Sequence, residues 1–273
     1  MNTILLTAIF AASLTLILGV LLGIFRKVFH VESDVLVSLI RETLPGANCG
    51  ACGFPGCDGF AAAVSAKEAE PDKCTVSDAK STKKRAELVG SNADIVPLMV
   101  VLACRGSRDR AQEKGIYTGE KNCRGAKIAS QGVKLCSWAC IGFGDCITVC
   151  QFGAITMGEN GLPFIDRTKC TGCGMCAAEC PQLLLKIVPR DREGVIALCQ
   201  NRNPIRAQIR KNCAAGCIKC GICVKKCPNQ AIEIINGIPE IDYKKCSSCG
   251  LCVGVCPAGT LRELKTLNRV DYT

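Results

Sequence analysis

The chain has 273 residues, of which 24 are cysteine and only one each histidine and tryptophan, with a formal charge of +10. So few large side chains exclude one broad conventional core, and small modules held together by bonds to cysteine are the expected architecture. The positive balance counts every cysteine as neutral, so it argues for no nucleic-acid partner until the cysteines are assigned.

In chain order the first element is Ile4 to Phe25, 22 residues without a charge. At about 1.5 Å per residue a helix of this length crosses a bilayer core of about 30 Å. The "MNT" before it carries no charged side chain, and "GIFRKVFH" after it is not a cleavage site, so an uncleaved anchor is expected rather than a signal peptide. Arg26 and Lys27 follow at once, which places residues 28 to 273 on the cytoplasmic side of a single-pass helix. His30 reads as a surface residue beside the membrane.

Next comes "NCGACGFPGCDGFAAAVSAKEAEPDKC", with Cys49, Cys52, Cys57 and Cys74 spaced C-x₂-C-x₄-C-x₁₆-C. Its glycines let a loop wrap closely around a metal centre and aim backbone N–H groups at thiolate sulfurs. "GFAAAVSAKEAE" is expected to be a helix that Pro71 ends before Cys74 closes the site. The run from 81 to 92, "STKKRAELVGSN", reads as a polar linker.

Two chemistries compete for so many cysteines, a disulfide framework or metal sites. The chain is long, and its C-x₂-C runs are too tight for internal pairing. Zinc needs four ligands from one or two C-x₂-C pairs, whereas "CTGCGMCAAEC" offers more and matches an iron–sulfur cubane. Five thiolate-held 4Fe–4S clusters, each about −2, roughly cancel the basic surplus. A local excess remains between 183 and 211, where Lys186, Arg190, Arg192, Arg202, Arg206, Arg210 and Lys211 face Asp191 and Glu193. It is either a steering patch for an acidic protein partner or a solvated face.

The rest of the chain repeats. "CQFGAITMGENGLPFIDRTKCTGCGMCAAECP" (150 to 181) aligns with "CPNQAIEIINGIPEIDYKKCSSCGLCVGVCP" (227 to 257). Each copy shows a strand, a Gly/Asn turn, a second strand and a cluster motif. That is the layout of a two-cluster bacterial ferredoxin, in which the fourth cysteine of each motif crosses to the other cluster. In the second copy Cys217, Cys220 and Cys223 join Cys256, and Cys246, Cys249 and Cys252 join Cys227. In the first, Cys170, Cys173 and Cys176 join Cys150. The partner motif "CSWACIGFGDCITVC" lacks its middle cysteine, with Phe143 in its place and Gln151 where proline is usual. Cys136 stands one turn upstream and is expected to replace it, giving Cys136, Cys140, Cys146 and Cys180. Cys104, Cys123, Cys199 and Cys213 remain. "VVLAC" resembles "VIALC" and "KNC" occurs twice, so these four are a sixth cluster, two thiol pairs or buried core cysteines.

The expected fold is therefore α+β: a transmembrane anchor (1–27), a single 4Fe–4S module (28–80), a linker (81–95) and two tandem bacterial-type dicluster ferredoxin domains (96–188 and 189–273). No phosphate loop, nucleotide fingerprint or Ser/His/Asp arrangement accompanies them, so electron transfer is the expected chemistry, with no catalytic site of its own.

Anchor, "NCGACGFPGCDGFA" module and a tandem ferredoxin region containing "GFGDC" together resemble the B subunit of the Rnf electron-transport complex. The resemblance covers essentially the whole chain. It implies a protein in the cell membrane of a bacterium or archaeon that takes electrons from reduced ferredoxin or flavodoxin. These would pass to other membrane and flavin-bearing subunits of an ion-translocating ferredoxin:NAD⁺ oxidoreductase that pumps Na⁺ or H⁺. The alternatives are a tethered electron donor to a redox regulator, a scaffold whose clusters are only structural, and a corrinoid-reducing donor sharing the first module.

Overall fold

The computed structural model describes residues 3–28, 34–92, 96–265 and 267; His30 lies outside them. Helix α1 (Thr3–Val28) includes the window Leu5–Phe25, which has a mean hydropathy of 2.5 with no residue buried. It is long and apolar enough to cross a membrane.

The first module is three short helices around a small core. Asp34 caps α2 (Val35–Glu42) by accepting from Leu36 N at 2.9 Å, and Ile40 of α2 packs on Phe60 and Val64 of α3 (Gly56–Ser65). Each such side chain contributes roughly 1.5–3 kcal/mol on burial. Helix α3 stops at Ser65, short of the expected "KEAE" extension. Lys67 turns left-handed (φ 60°) and Glu68 N reaches back to Ala63 O at 2.8 Å, a Schellman-type ending that satisfies the last carbonyls before Pro71 can act.

The run expected as a linker is largely structured. Asp78 caps α4 (Ala79–Leu88), accepting from Ser81 N, and Arg85 of α4 is fully buried in the first module. Its guanidinium donates to Pro71 O (2.7 Å), Thr82 Oγ1 (3.0 Å) and Thr43 Oγ1 (3.2 Å), and lies 5.8 Å from the Phe60 ring centre. A polar-looking sequence therefore hides one inward residue, whose donors hold α4 to the loop that closes the module.

The remaining chain forms two repeats of one plan. In the first, β1 (Leu98–Leu102) is followed by α5 (Cys123–Ser130), α6 (Asp145–Thr148), the hairpin of β2 (Ile155–Met157) and β3 (Pro163–Ile165), α7 (Met175–Glu179) and β4 (Leu185–Pro189). In the second, β5 (Val195–Ala197) is followed by α8 (Arg206–Asn212), α9 (Ile222–Lys226), the hairpin of β6 (Ile232–Ile235) and β7 (Ile238–Ile241), α10 (Leu251–Gly254) and β8 (Leu261–Glu263). Each hairpin is antiparallel, with Ile155 opposite Ile165 and Ile235 opposite Ile238. The second turns on Asn236 and Gly237 with φ of 50° and 77°, the two positive angles that a two-residue hairpin requires.

Each repeat is closed by its ends: β1 pairs antiparallel with β4 (Leu98 opposite Pro189), and β5 with β8 (Val195 opposite Glu263). The two cores run together, since Met99, Leu102 and Leu184 cluster with Leu198 and Leu264 of the second repeat. Arg167 Nη1 donates across the seam to Leu264 O at 2.9 Å.

Candidate iron–sulfur sites

Four motifs share one local geometry. Gly144, Gly174, Gly221 and Gly250 each precede a one-turn helix with φ between 71° and 90°. That left-handed step, strained for any residue with a Cβ, swings the chain so that the helix begins at the cysteine loop. One residue into each helix sit Cys146, Cys176, Cys223 and Cys252, and just past the last turn sit Cys150, Cys180, Cys227 and Cys256. Cys150 Sγ accepts from Ala154 N (3.4 Å), Cys227 Sγ from Ala231 N (3.2 Å) and Cys256 Sγ from Thr260 N (3.4 Å), each four residues on. Amides aimed at sulfur are how a ferredoxin loop steadies anionic thiolates.

The cysteines gather in quartets. One cavity in the first module is lined by Cys49, Cys52, Cys57 and Cys74, with Asn48 Oδ1 accepting from Cys57 N at 2.8 Å to hold the loop. Another, in the second repeat, is lined by Cys217, Cys220, Cys223 and the crossing Cys256. Cys176 is within electrostatic reach of Cys173, Cys170 and Cys150; burial and those three thiols push it up to about 12. Cys252, pushed up to about 11 by burial, faces Cys227, Cys246 and Cys249. All 24 cysteines are unpaired. Among the described residues no three Cys, His, Asp or Glu side chains stand close enough to share one metal ion. The C-x₂-C-x₂-C runs offer more thiols than a lone tetrahedral zinc needs. The donor chemistry and spacing fit 4Fe–4S clusters.

The irregular motif differs from its sequence expectation. Its cavity is lined by Cys123, Cys140, Cys146 and Cys180, and Cys136 is not among them. Cys123 arrives from the far side of the long β1-to-α6 excursion, at the first residue of α5, whose N-cap is Asn122. Asp145 completes that cap: its carboxylate accepts from Cys123 N at 2.8 and 2.9 Å and from Arg124 N at 3.2 Å. Phe143, in the place of the missing cysteine, instead meets the Tyr117 ring at 5.6 Å between centres and packs down the same excursion. Burial pushes the Cys146 thiol up to about 12, with Cys123 the foremost neighbour acting the same way. Cys136 is buried elsewhere, its sulfur accepting from Asn201 Nδ2 at 3.3 Å. In this structure Asn201 holds the Cys136 sulfur, and Cys123 is the fourth cysteine beside Cys140, Cys146 and Cys180. The available signal was "GFGDC", whose aspartate needs amides to cap.

Comparison with known proteins agrees with these modules. Residues 44–76 match a family described as a putative Fe–S cluster, and residues 139–184 and 216–260 each match a 4Fe–4S dicluster domain. A second dicluster description matches 169–231, a register that straddles the repeats. The pairings β1–β4 and β5–β8 select the first register. The chain is 44% identical over 85% of its length to the B subunit of the Na⁺-translocating ferredoxin:NAD⁺ oxidoreductase complex of Acetobacterium woodii, covering 69% of that protein. It is 36% identical over 86% of its length to the B subunit of the ion-translocating oxidoreductase complex of Methanosarcina acetivorans, covering 89% of it. The chain belongs to the B-subunit family of ion-translocating oxidoreductase complexes. A third relative, the B subunit of the proton-translocating ferredoxin:NAD⁺ oxidoreductase complex of Clostridium ljungdahlii, is 37% identical over 90% of the chain and 87% of its own length. This member of the family therefore carries ferredoxin-type 4Fe–4S domains suited to relaying single electrons.

The basic run between 183 and 211 is divided in its use. Arg190 donates to Cys170 O, and Arg192 lies 4.3 Å from the Tyr243 ring centre. Arg202, Arg206, Arg210 and Lys211 are exposed.

Proposed function

We propose that this chain is the membrane-anchored electron-transfer component of an ion-translocating ferredoxin:NAD⁺ oxidoreductase. It takes electrons from reduced ferredoxin or flavodoxin and relays them to other membrane and flavin-bearing subunits. The anchor is α1, and the positive Arg26–Lys27 end puts the cluster-bearing part on the cytoplasmic side. The observation that carries the reading is the crossing of Cys180 and Cys256 into cavities lined otherwise by the opposite motif.

Five sites follow. Site I uses Cys49, Cys52, Cys57 and Cys74; site II uses Cys123, Cys140, Cys146 and Cys180. Site III uses Cys150, Cys170, Cys173 and Cys176, site IV Cys217, Cys220, Cys223 and Cys256, and site V Cys227, Cys246, Cys249 and Cys252. When bound, a 4Fe–4S cluster supplies a one-electron couple whose potential depends on burial, charge and hydrogen bonds to sulfur. The cysteines hold the centres in loops fixed by left-handed glycines, and backbone amides meet the added negative charge without rearrangement. Cys74 and Thr171 line one cleft, so site I adjoins site III. Cys146 is within electrostatic reach of Cys176, so site III adjoins site II. Cys249, the one exposed cysteine, sits at site V and marks that end as accessible to a donor protein.

The test is anaerobic reduction of the full-length chain in detergent by reduced ferredoxin, followed by electron paramagnetic resonance. Signals of reduced clusters are expected. Clusters that stay oxidised would overturn the relay and leave a scaffold with structural clusters.

A further inference from the structure

Four cysteines stand outside the five sites, Cys104, Cys136, Cys199 and Cys213, and the fold brings them to one place. They come in two equivalent pairs. Cys104 lies two residues beyond β1 and Cys199 two residues beyond β5. Cys136 precedes Cys140 with C-x₃-C spacing, and Cys213 precedes Cys217 with the same spacing. Their hydrogen bonds repeat as well: Cys140 N donates to Cys104 Sγ at 3.4 Å, and Cys217 N to Cys199 Sγ at 3.3 Å.

The two pairs meet where the repeats meet. Ala111 bridges Cys213, and Ala214 N donates to Arg110 O at 2.8 Å. Asn201 of the second repeat donates to Cys136 Sγ of the first, and both residues are buried. The sulfurs of Cys104 and Cys213 lie 3.5 and 3.7 Å from the single point that a Cβ on Gly106 would occupy. Cys136 is within electrostatic reach of Cys104 and Cys213, and Cys199 of Cys104. Lys134 is buried beside them, its Nζ donating to Gly106 O at 2.6 Å, with the thiols of Cys140 and Cys213 in its field. A buried ammonium beside buried thiols fits a site that carries net negative charge when filled.

We propose that Cys104, Cys136, Cys199 and Cys213 form a sixth 4Fe–4S site on the seam between the repeats, one half-site from each. It rests on the reading of the other quartets as cluster sites. Filling it forms four iron–thiolate bonds and releases the four thiol protons. The site is one N–H···S contact from Cys140 of site II and one from Cys217 of site IV. The six sites then form a continuous line: I, III, II, the seam, IV, V. An electron received from a reduced neighbour on one side leaves to the neighbour on the other, with no bond made or broken.

The experiment is iron and sulfide analysis of the anaerobically purified full-length chain. The proposal requires about 24 irons and 24 sulfides per chain. About 20 irons, with or without one equivalent of zinc, would overturn it and leave the five-site relay standing. Failure of reduced ferredoxin to reduce any cluster would instead overturn the relay and leave the count intact. Cys136→Ser and Cys199→Ser should each lose about four irons; a full count in either would remove that cysteine from the site. Asn201→Ala keeps the count and moves the midpoint of one paramagnetic signal to lower potential, because an N–H···S bond is lost. Every signal unmoved would overturn the place of Cys136 in the site.

Discussion

The two repeats share strand closure, hairpin and paired one-turn helices, yet the fourth cysteine lining the equivalent cavity comes from different parts of the chain. In the second repeat Cys220 sits inside its own C-x₂-C-x₂-C loop. In the first, Phe143 takes that place, and Cys123 lines the cavity from an excursion longer than the segment between β5 and α9 in the second repeat. A ligand set is fixed in space, not in sequence. A distant cysteine is brought to the cavity when a carboxylate caps its helix and an aromatic contact seats its loop, as Asp145 and Phe143 do.

The sharpest way to break this comparison is to remove the two unequal ligands. Cys123→Ser and Cys220→Ser should each cost about four irons, or convert one cluster to a three-iron form, by iron analysis and paramagnetic resonance. An unchanged spectrum in Cys123→Ser would mean site II is held otherwise. Next in size is a rescue: Phe143→Cys added to Cys123→Ser should restore most of the lost iron by giving the first repeat the second's pattern. If iron stays low, the loop has lost the shape of its counterpart and the equivalence fails. Asp145→Ala removes only the cap. It should destabilise the first repeat by about 1 kcal/mol and hasten loss of site II iron to a chelator, leaving site IV unchanged. The smallest change is Gln151→Pro, which gives the first repeat the proline that follows Cys180, Cys227 and Cys256. It should raise stability by at most about 1 kcal/mol in thermal unfolding, with iron content unaltered.

Much of the architecture was legible because cluster loops and hairpins are local. The turn at Asn236–Gly237 and the C-x₂-C-x₂-C runs each occupy a few adjacent residues, so spacing alone locates them. The strand pairs β1–β4 and β5–β8 were not legible, because they join segments at opposite ends of each repeat and each strand is only three to five residues long. Cys123 was hidden for the same reason: its place beside the cavity depends on an excursion folding back on Asp145. Cys136 was read with Cys140 from their spacing, and its neighbours in space are Asn201 and Cys104. The shared C-x₃-C spacing of 136–140 and 213–217 was the available clue. Helix α4 read as a linker because only one of its long polar side chains points inward.

That side chain, Arg85, has a consequence for the direction of charge movement. Its guanidinium is locked by neutral oxygens, and Cys74, Asp72, Asp78 and Cys57 lie in its field. A negative charge arriving at site I is met by a cation already in position, so the polypeptide need not shift to receive it. Site I is the one module that follows α1 directly in the chain. The fold thus places a fixed cation beside the thiols of the first module before any charge arrives there.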